Sequence, residues 1–217
     1  MRRQLARILW ATAFLVVLLV PLLLGLSTAQ PSSLISTLSV GMGLLATSFL
    51  VCAVVLPSRL RSLTSTFGIE QVLGIHRFVG LLAAVLVFAH VALVIAADPA
   101  NVALLDIAAA PGRARAATGA TVGLGGLIAL AVLRKQLGHR YEVWRWVHLA
   151  LAGSVLVLTA LHIWWLDHLI RDPAMRAWFT VLVLGVLGVL AYRWLWRPMF
   201  GTASEYVVRE VRPETDT

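Results

Sequence analysis

The chain has 217 residues, 60% of them hydrophobic and only 13% charged, with a mean hydropathy of +0.89. Such values lie outside the range of soluble globular domains and make lipid the solvent. Eighteen Lys and Arg against ten acidic residues give a net charge of +8, which beside apolar runs reads as a topology signal rather than as a nucleic-acid footprint, and a single cysteine, Cys52, excludes a disulfide framework or a cysteine-rich metal or iron–sulfur centre.

A membrane-spanning helix needs about 20 predominantly apolar residues. Six stretches qualify in chain order: 8–26, 34–56, 72–97, 116–133, 146–166 and 175–196. The first follows Arg2, Arg3 and Arg7 and precedes Ser27-Thr28-Ala29, which also resembles a signal-peptide cleavage site. Its apolar run exceeds the roughly 7 to 15 residues of such signals, so it reads as a span. Turn formers punctuate the intervals: Gln30-Pro31-Ser32-Ser33, Pro57-Ser58, Asp98-Pro99, Pro111-Gly112, Gly138 and Asp172-Pro173. The expected fold is therefore all-α, a polytopic six-helix bundle over residues 1–200, followed by a cytoplasmic tail, 201–217.

With the N-terminus in the cytoplasm, fourteen arginines and lysines fall on the inner side, among them Arg59, Arg61, Arg77, Arg134, Lys135, Arg140, Arg145, Arg193 and Arg197. The outer side receives Arg113, Arg115, Arg171 and Arg176, balanced by Asp98, Asp106, Asp167 and Asp172. The bias predicts a multi-pass protein of the cell inner (plasma) membrane with both termini cytoplasmic.

The third and fifth segments share one pattern: His76 is followed by His90, and His148 by His162, fourteen residues on in each case. Fourteen residues of α-helix rise about 21 Å and fall about 40° short of four full turns. The two imidazoles of each helix therefore point nearly the same way at two depths. Both segments cross in the same direction, which sets His76 opposite His148 near the cytoplasmic face and His90 opposite His162 near the outer face. Ionisable groups inside a membrane are expensive and mark function. A neutral imidazole on haem iron answers that cost, whereas the 21 Å rise, an estimate from about 1.5 Å per residue, is too long for one shared zinc. The pattern predicts two b-type haems, each held by two axial histidines, with no position open for direct oxygen binding.

Neighbouring residues fit the same picture in more than one way. Gly80 and Gly153, between the histidines of their helices, would let a flat macrocycle approach the backbone or let helices pack closely. Arg77 and Arg145 beside the inner pair would reach haem propionates or snorkel to lipid headgroups. His139 and His168 fall in expected loops as solvated surface residues. Trp10, Trp144, Trp146, Trp164, Trp165, Trp178, Trp194 and Trp196 read as interfacial anchors.

The segments Gly74-Ile75-His76-Arg77-Phe78-Val79-Gly80, His90, Trp144-Arg145-Trp146-Val147-His148, and His162 with Trp164 resemble the ferric reductase-like transmembrane domain shared by ferric reductases and NADPH oxidases, over about residues 35–200. The resemblance implies a six-helix bundle with two haem b groups that takes electrons at the cytoplasmic haem and releases them at the outer one, to Fe(III) or O2. Complete members continue into flavin (FAD) and NAD(P)H domains. Residues 205–211 alternate like the first strand of that flavin barrel, but no nucleotide-binding glycine fingerprint follows, so the reductase is expected as a missing or separate domain. Superoxide-producing relatives carry a further histidine one turn beyond the outer ligand, where this chain has Val94, which tilts the expectation toward a metal or protein acceptor. The alternative is a stand-alone haem subunit resembling the membrane partner of the periplasmic methionine sulfoxide reductase, a group that tends to lack the inner third-helix histidine present here as His76.

Overall fold

The computed structural model describes residues 2–28, 33–58, 60–134, 141–196 and 199. Its helices are α1 (Arg2–Thr28), α2 (Leu34–Val55), α3 (Arg61–Phe67), α4 (Ile69–Ala97), α5 (Gly112–Val132), α6 (Tyr141–Trp164), α7 (Asp167–Ile170) and α8 (Pro173–Ala191). Short 3-10 segments occupy Leu56–Ser58 and Pro99–Leu105, and a π turn, Tyr192–Trp196, continues α8. Six helices, α1, α2, α4, α5, α6 and α8, are long and apolar enough to cross a membrane. The chain is an all-α, multi-pass membrane protein. The expected strand at 205–211, together with Lys135 and His139, lies outside the described residues.

The punctuation in the sequence works as helix caps. The Ser36 N–H donates to Ser33 Oγ at 3.2 Å, the Ala100 N–H to Asp98 Oδ1 at 3.0 Å, and the Met175 N–H to Asp172 Oδ1 at 2.7 Å. Each bond satisfies a donor that the first helical turn leaves without an intrahelical partner. Pro173 at the first position of α8 sacrifices no such bond.

Among the helices that start earlier than their apolar runs are α5, at Gly112 rather than 116, and α6, at Tyr141 rather than 146. Their first turns carry Arg113 and Arg115, or Glu142 and Arg145. Charged side chains belong to the headgroup zone, where the helix continues although the apolar pattern has stopped. The short elements α3, Pro99–Leu105 and α7 were not legible in the sequence because none completes enough turns to carry a periodic signal.

Packing divides the bundle into two halves. α4 lies mainly on α2, and α6 mainly on α5, while α4 and α6 scarcely touch. Hydrophobic driving force is weak between helices in lipid, so close backbone approach matters. Gly119 and Gly123 provide it on α5: a Cβ on Gly119 would stand 3.2 Å from Leu158 Cδ1, and one on Gly123 would stand 3.0 Å from Val155 Cγ2. α1 joins the α2/α4 half through Trp10, Phe14 and Val17, which pack around buried Cys52, Leu63 and Val72. The Arg193 guanidinium donates to the Pro57 carbonyl at 2.9 Å and ties the π turn to the 3-10 segment that follows α2.

Several hydroxyls within the spans bond back to their own helices, as a medium without water favours, while Ser39 donates across to His90 O at 3.4 Å. Thr47 donates to Gly43 O at 2.9 Å, Ser48 to Leu44 O at 3.1 Å and Thr121 to Ala117 O at 2.9 Å.

Gly123→Leu is expected to force α5 off α6 and destabilise the bundle by about 1–3 kcal/mol, the usual range for overpacking. Thermal unfolding in detergent checks it against Gly185→Ala, an exposed site on α8 where a Cβ meets nothing within 4 Å and where no loss is expected.

Candidate functional site

The gap between α4 and α6 contains all four histidines of the repeated pattern. At one level the ring centres of His76 and His148 are 6.4 Å apart, with planes inclined at 71°. Two imidazoles on opposite sides of one metal ion, with metal–nitrogen bonds of about 2 Å and each ring centre about 1.1 Å behind its nitrogen, stand about 6.3 Å apart. At the other level His90 and His162 line the same cavity, of about 330 Å3, within the roughly 300–1,000 Å3 of cofactor pockets. Its walls are largely apolar side chains of α2, α4, α5 and α6, and Pro99–Leu105 contributes Asn101 and Leu104.

Each histidine is held by a particular neighbour. His76 Nδ1 lies 2.9 Å from Ala53 O, His90 Nδ1 2.8 Å from Ser39 O, and His162 Nδ1 2.9 Å from Arg113 O. A carbonyl oxygen can only accept, so these three rings carry their proton on Nδ1. That leaves the lone pair of Nε2 for a metal. A ring N–H bound to a carbonyl is the usual support of a metal-ligating histidine. Ala53 O is available for a local reason: the residue four positions on is Pro57, which has no N–H to give it.

His148 differs. Its Nδ1 is buried with no hydrogen-bond partner among the described residues, and its ring instead stacks on Trp144, with centroids 5.1 Å apart and planes at 22°. Trp144 is thus no simple interfacial anchor. It precedes His148 by four residues, the spacing that brings side chains together on a helix, so this contact was available to the sequence reading and was missed.

Gly43 is another residue that the sequence reading missed. A Cβ there would stand 3.1 Å from His90 Nδ1 and 3.2 Å from Cε1, so the absence of a side chain on α2 makes room for the imidazole. Nothing in the sequence relates Gly43 to His90, because the α2/α4 register is a tertiary property.

The other expected site residues are placed as follows. Gly80 turns about 40° from the direction of His76 at 100° per residue, and a Cβ there meets nothing within 4 Å. Gly153 is rotated about 140° from His148 on the same count and is exposed, away from the histidine face. Arg77 is exposed, and the Arg145 guanidinium lies 5.5 Å from the Trp146 ring centre. His168, exposed on α7, lines the mouth of the outer cavity with Arg113. Among the described residues no three His, Cys, Asp or Glu side chains gather as a metal-binding group. The donors come in pairs, the set that fits haem, whose macrocycle supplies the remaining nitrogens.

Solid-state NMR of 15N-histidine-labelled protein without haem, in bilayers, is expected to show His76, His90 and His162 with hydrogen-bonded Nδ1–H and unprotonated Nε2, and His148 without that downfield Nδ1 proton. Four equivalent rings would contradict the assignment.

A family model described as ferric reductase like transmembrane component matches residues 42–159, just over half of the chain. The span contains His76, His90 and His148, and His162 follows it closely. No curated protein and no solved structure matches the chain. The six membrane helices agree with the matched family: this chain belongs to the ferric reductase-like transmembrane components.

Proposed function

We propose that the chain is a transmembrane electron conduit in which His76 and His148 hold one haem b and His90 and His162 hold a second. Family membership points to electron transfer across the membrane. The observation that carries the finer reading is the His76/His148 ring pair at one level and His90 with His162 on one cavity at the other, across a gap between helices that scarcely touch. Haem bound there would be held by these imidazoles and would supply one-electron chemistry.

The chain's own residues do the rest. Ala53, Ser39 and Arg113 fix three imidazoles through their carbonyls, which removes the ligand reorganisation that would slow electron transfer. The buried side chains Leu50, Ala83, Ala84, Leu124 and Val155 form an aliphatic layer, and the places of Ala83, Ala84 and Val155 in α4 and α6 set it between the two histidine levels. Arg77 and Arg145 are the cationic candidates for the propionates of the inner group, and Gly80 leaves open space on the histidine side of α4.

The positive-inside bias sets the direction. Electrons enter on the side of both chain ends, from a cytoplasmic flavin/NAD(P)H reductase domain or protein, and leave near His90 and His162 to Fe(III) or O2.

The test is transfer across a sealed vesicle. Proteoliposomes of the haem-loaded chain, enclosing ferricyanide and given reduced flavin outside, are expected to reduce the enclosed oxidant well above the rate of protein-free vesicles. His148→Leu and His90→Leu should each return the rate to that baseline. Unchanged rates in both variants would contradict the assignment.

A further inference from the structure

We infer that Trp144 is the positioning residue for His148, holding its imidazole by ring stacking where the other three histidines are held by hydrogen bonds. The inference rests on the haem reading above and goes one step beyond it, to how one of the four rings is aimed.

Three of the four rings have a carbonyl on Nδ1. A hydrogen bond of that kind fixes both the tautomer and the rotation about the Cβ–Cγ bond. Among the described residues His148 has none, and its Nδ1 is buried. A ring without such a bond is free to rotate unless something flat lies against it. Trp144 is that surface, nearly parallel at 22° and one helical turn away.

Trp144 is itself fixed from α5, on both its edge and its face. Its indole N–H donates to Leu130 O at 3.3 Å, and the Arg134 guanidinium lies over its ring at 4.6 Å from the centre. A cation over an indole face is an attractive contact that also limits ring motion. Arg134, Trp144 and His148 therefore form a stack that carries the position of the end of α5 to the imidazole on α6. The arrangement replaces a directional bond with a planar one. It restrains the tilt of the ring strongly and leaves Nδ1 without a proton acceptor, so the His148 ligand should be less electron-donating than its partner His76.

The experiment compares wild type, Trp144→Phe and Trp144→Leu in the full, haem-loaded chain, by pyridine haemochrome quantification and by low-temperature electron paramagnetic resonance of the oxidised protein. Wild type is expected to carry about two low-spin haems per chain. Trp144→Leu, which keeps apolar bulk but not the flat face, should lose or shift the one low-spin signal that His148→Leu also removes, and leave the other signal as an internal measure of folding. Trp144→Phe should keep both signals, because a ring remains to stack. Two unshifted signals in Trp144→Leu would overturn the inference while leaving the haem reading intact. Loss of the inner signal in Trp144→Phe as well would overturn it in favour of the indole N–H bond to Leu130. A wild type without the signal that His148→Leu removes would overturn the haem reading itself, and the inference with it.

Discussion

The structure depends on the cost of placing an imidazole N–H in hydrocarbon. Left unpaired, such a group costs on the order of 2 kcal/mol or more. Three of the four half-buried histidines meet that demand by donating Nδ1–H to a backbone carbonyl of a neighbouring helix. The bonds serve two ends at once. They pin α4 to α2 at two places, and they pin α6 to α5. The acceptors on α2, Ser39 and Ala53, are fourteen residues apart, as are His76 and His90 on α4. Two antiparallel helices locked at matching intervals have a fixed register, and that register turns both Nε2 atoms toward the same gap.

The halves so formed are tight within themselves and loose toward each other. Gly119 and Gly123 let α6 press on α5, and small buried residues of α2, including Ser39, Ala46 and Ser48, let α4 press on α2. The histidines therefore face across the bundle from two rigid pairs rather than from six independent helices. Such a frame suits electron transfer, which is fast where oxidation and reduction leave the ligands where they were. The aliphatic layer around Ala83 and Val155 lies between the two histidine levels and, on the proposed function, would keep water and ions from running between them.

Much of this was legible in the sequence because the bilayer simplifies the problem. Length and hydropathy alone locate six spans, and a fourteen-residue spacing on a 3.6-residue helix places two histidines on one face. The element ends were less legible, since Arg113, Arg115, Glu142 and Arg145 lie in helices that continue past the apolar run. Contacts between helices were not legible. Gly43 beside His90, and Arg113 O beside His162, depend on which helices become neighbours and in what register. Two signals were present and unused: Pro57, which frees the carbonyl four residues before it, and Trp144, one turn before His148. Gly153 shows the reverse error, a residue chosen for lying between two histidines along the chain although its rotation carries it to the other face of α6.

Everything proposed for this chain stands on four histidines forming two haem sites at two depths. The most direct measurement is the dithionite-reduced minus oxidised visible spectrum of the purified full chain from haem-supplied cells, with the haem content determined on the same sample. Sharp α and Soret bands of low-spin b haem at about two haems per chain are expected. A preparation that is folded but carries no haem would contradict it, and would leave the four imidazoles as polar contacts that only hold helices in register.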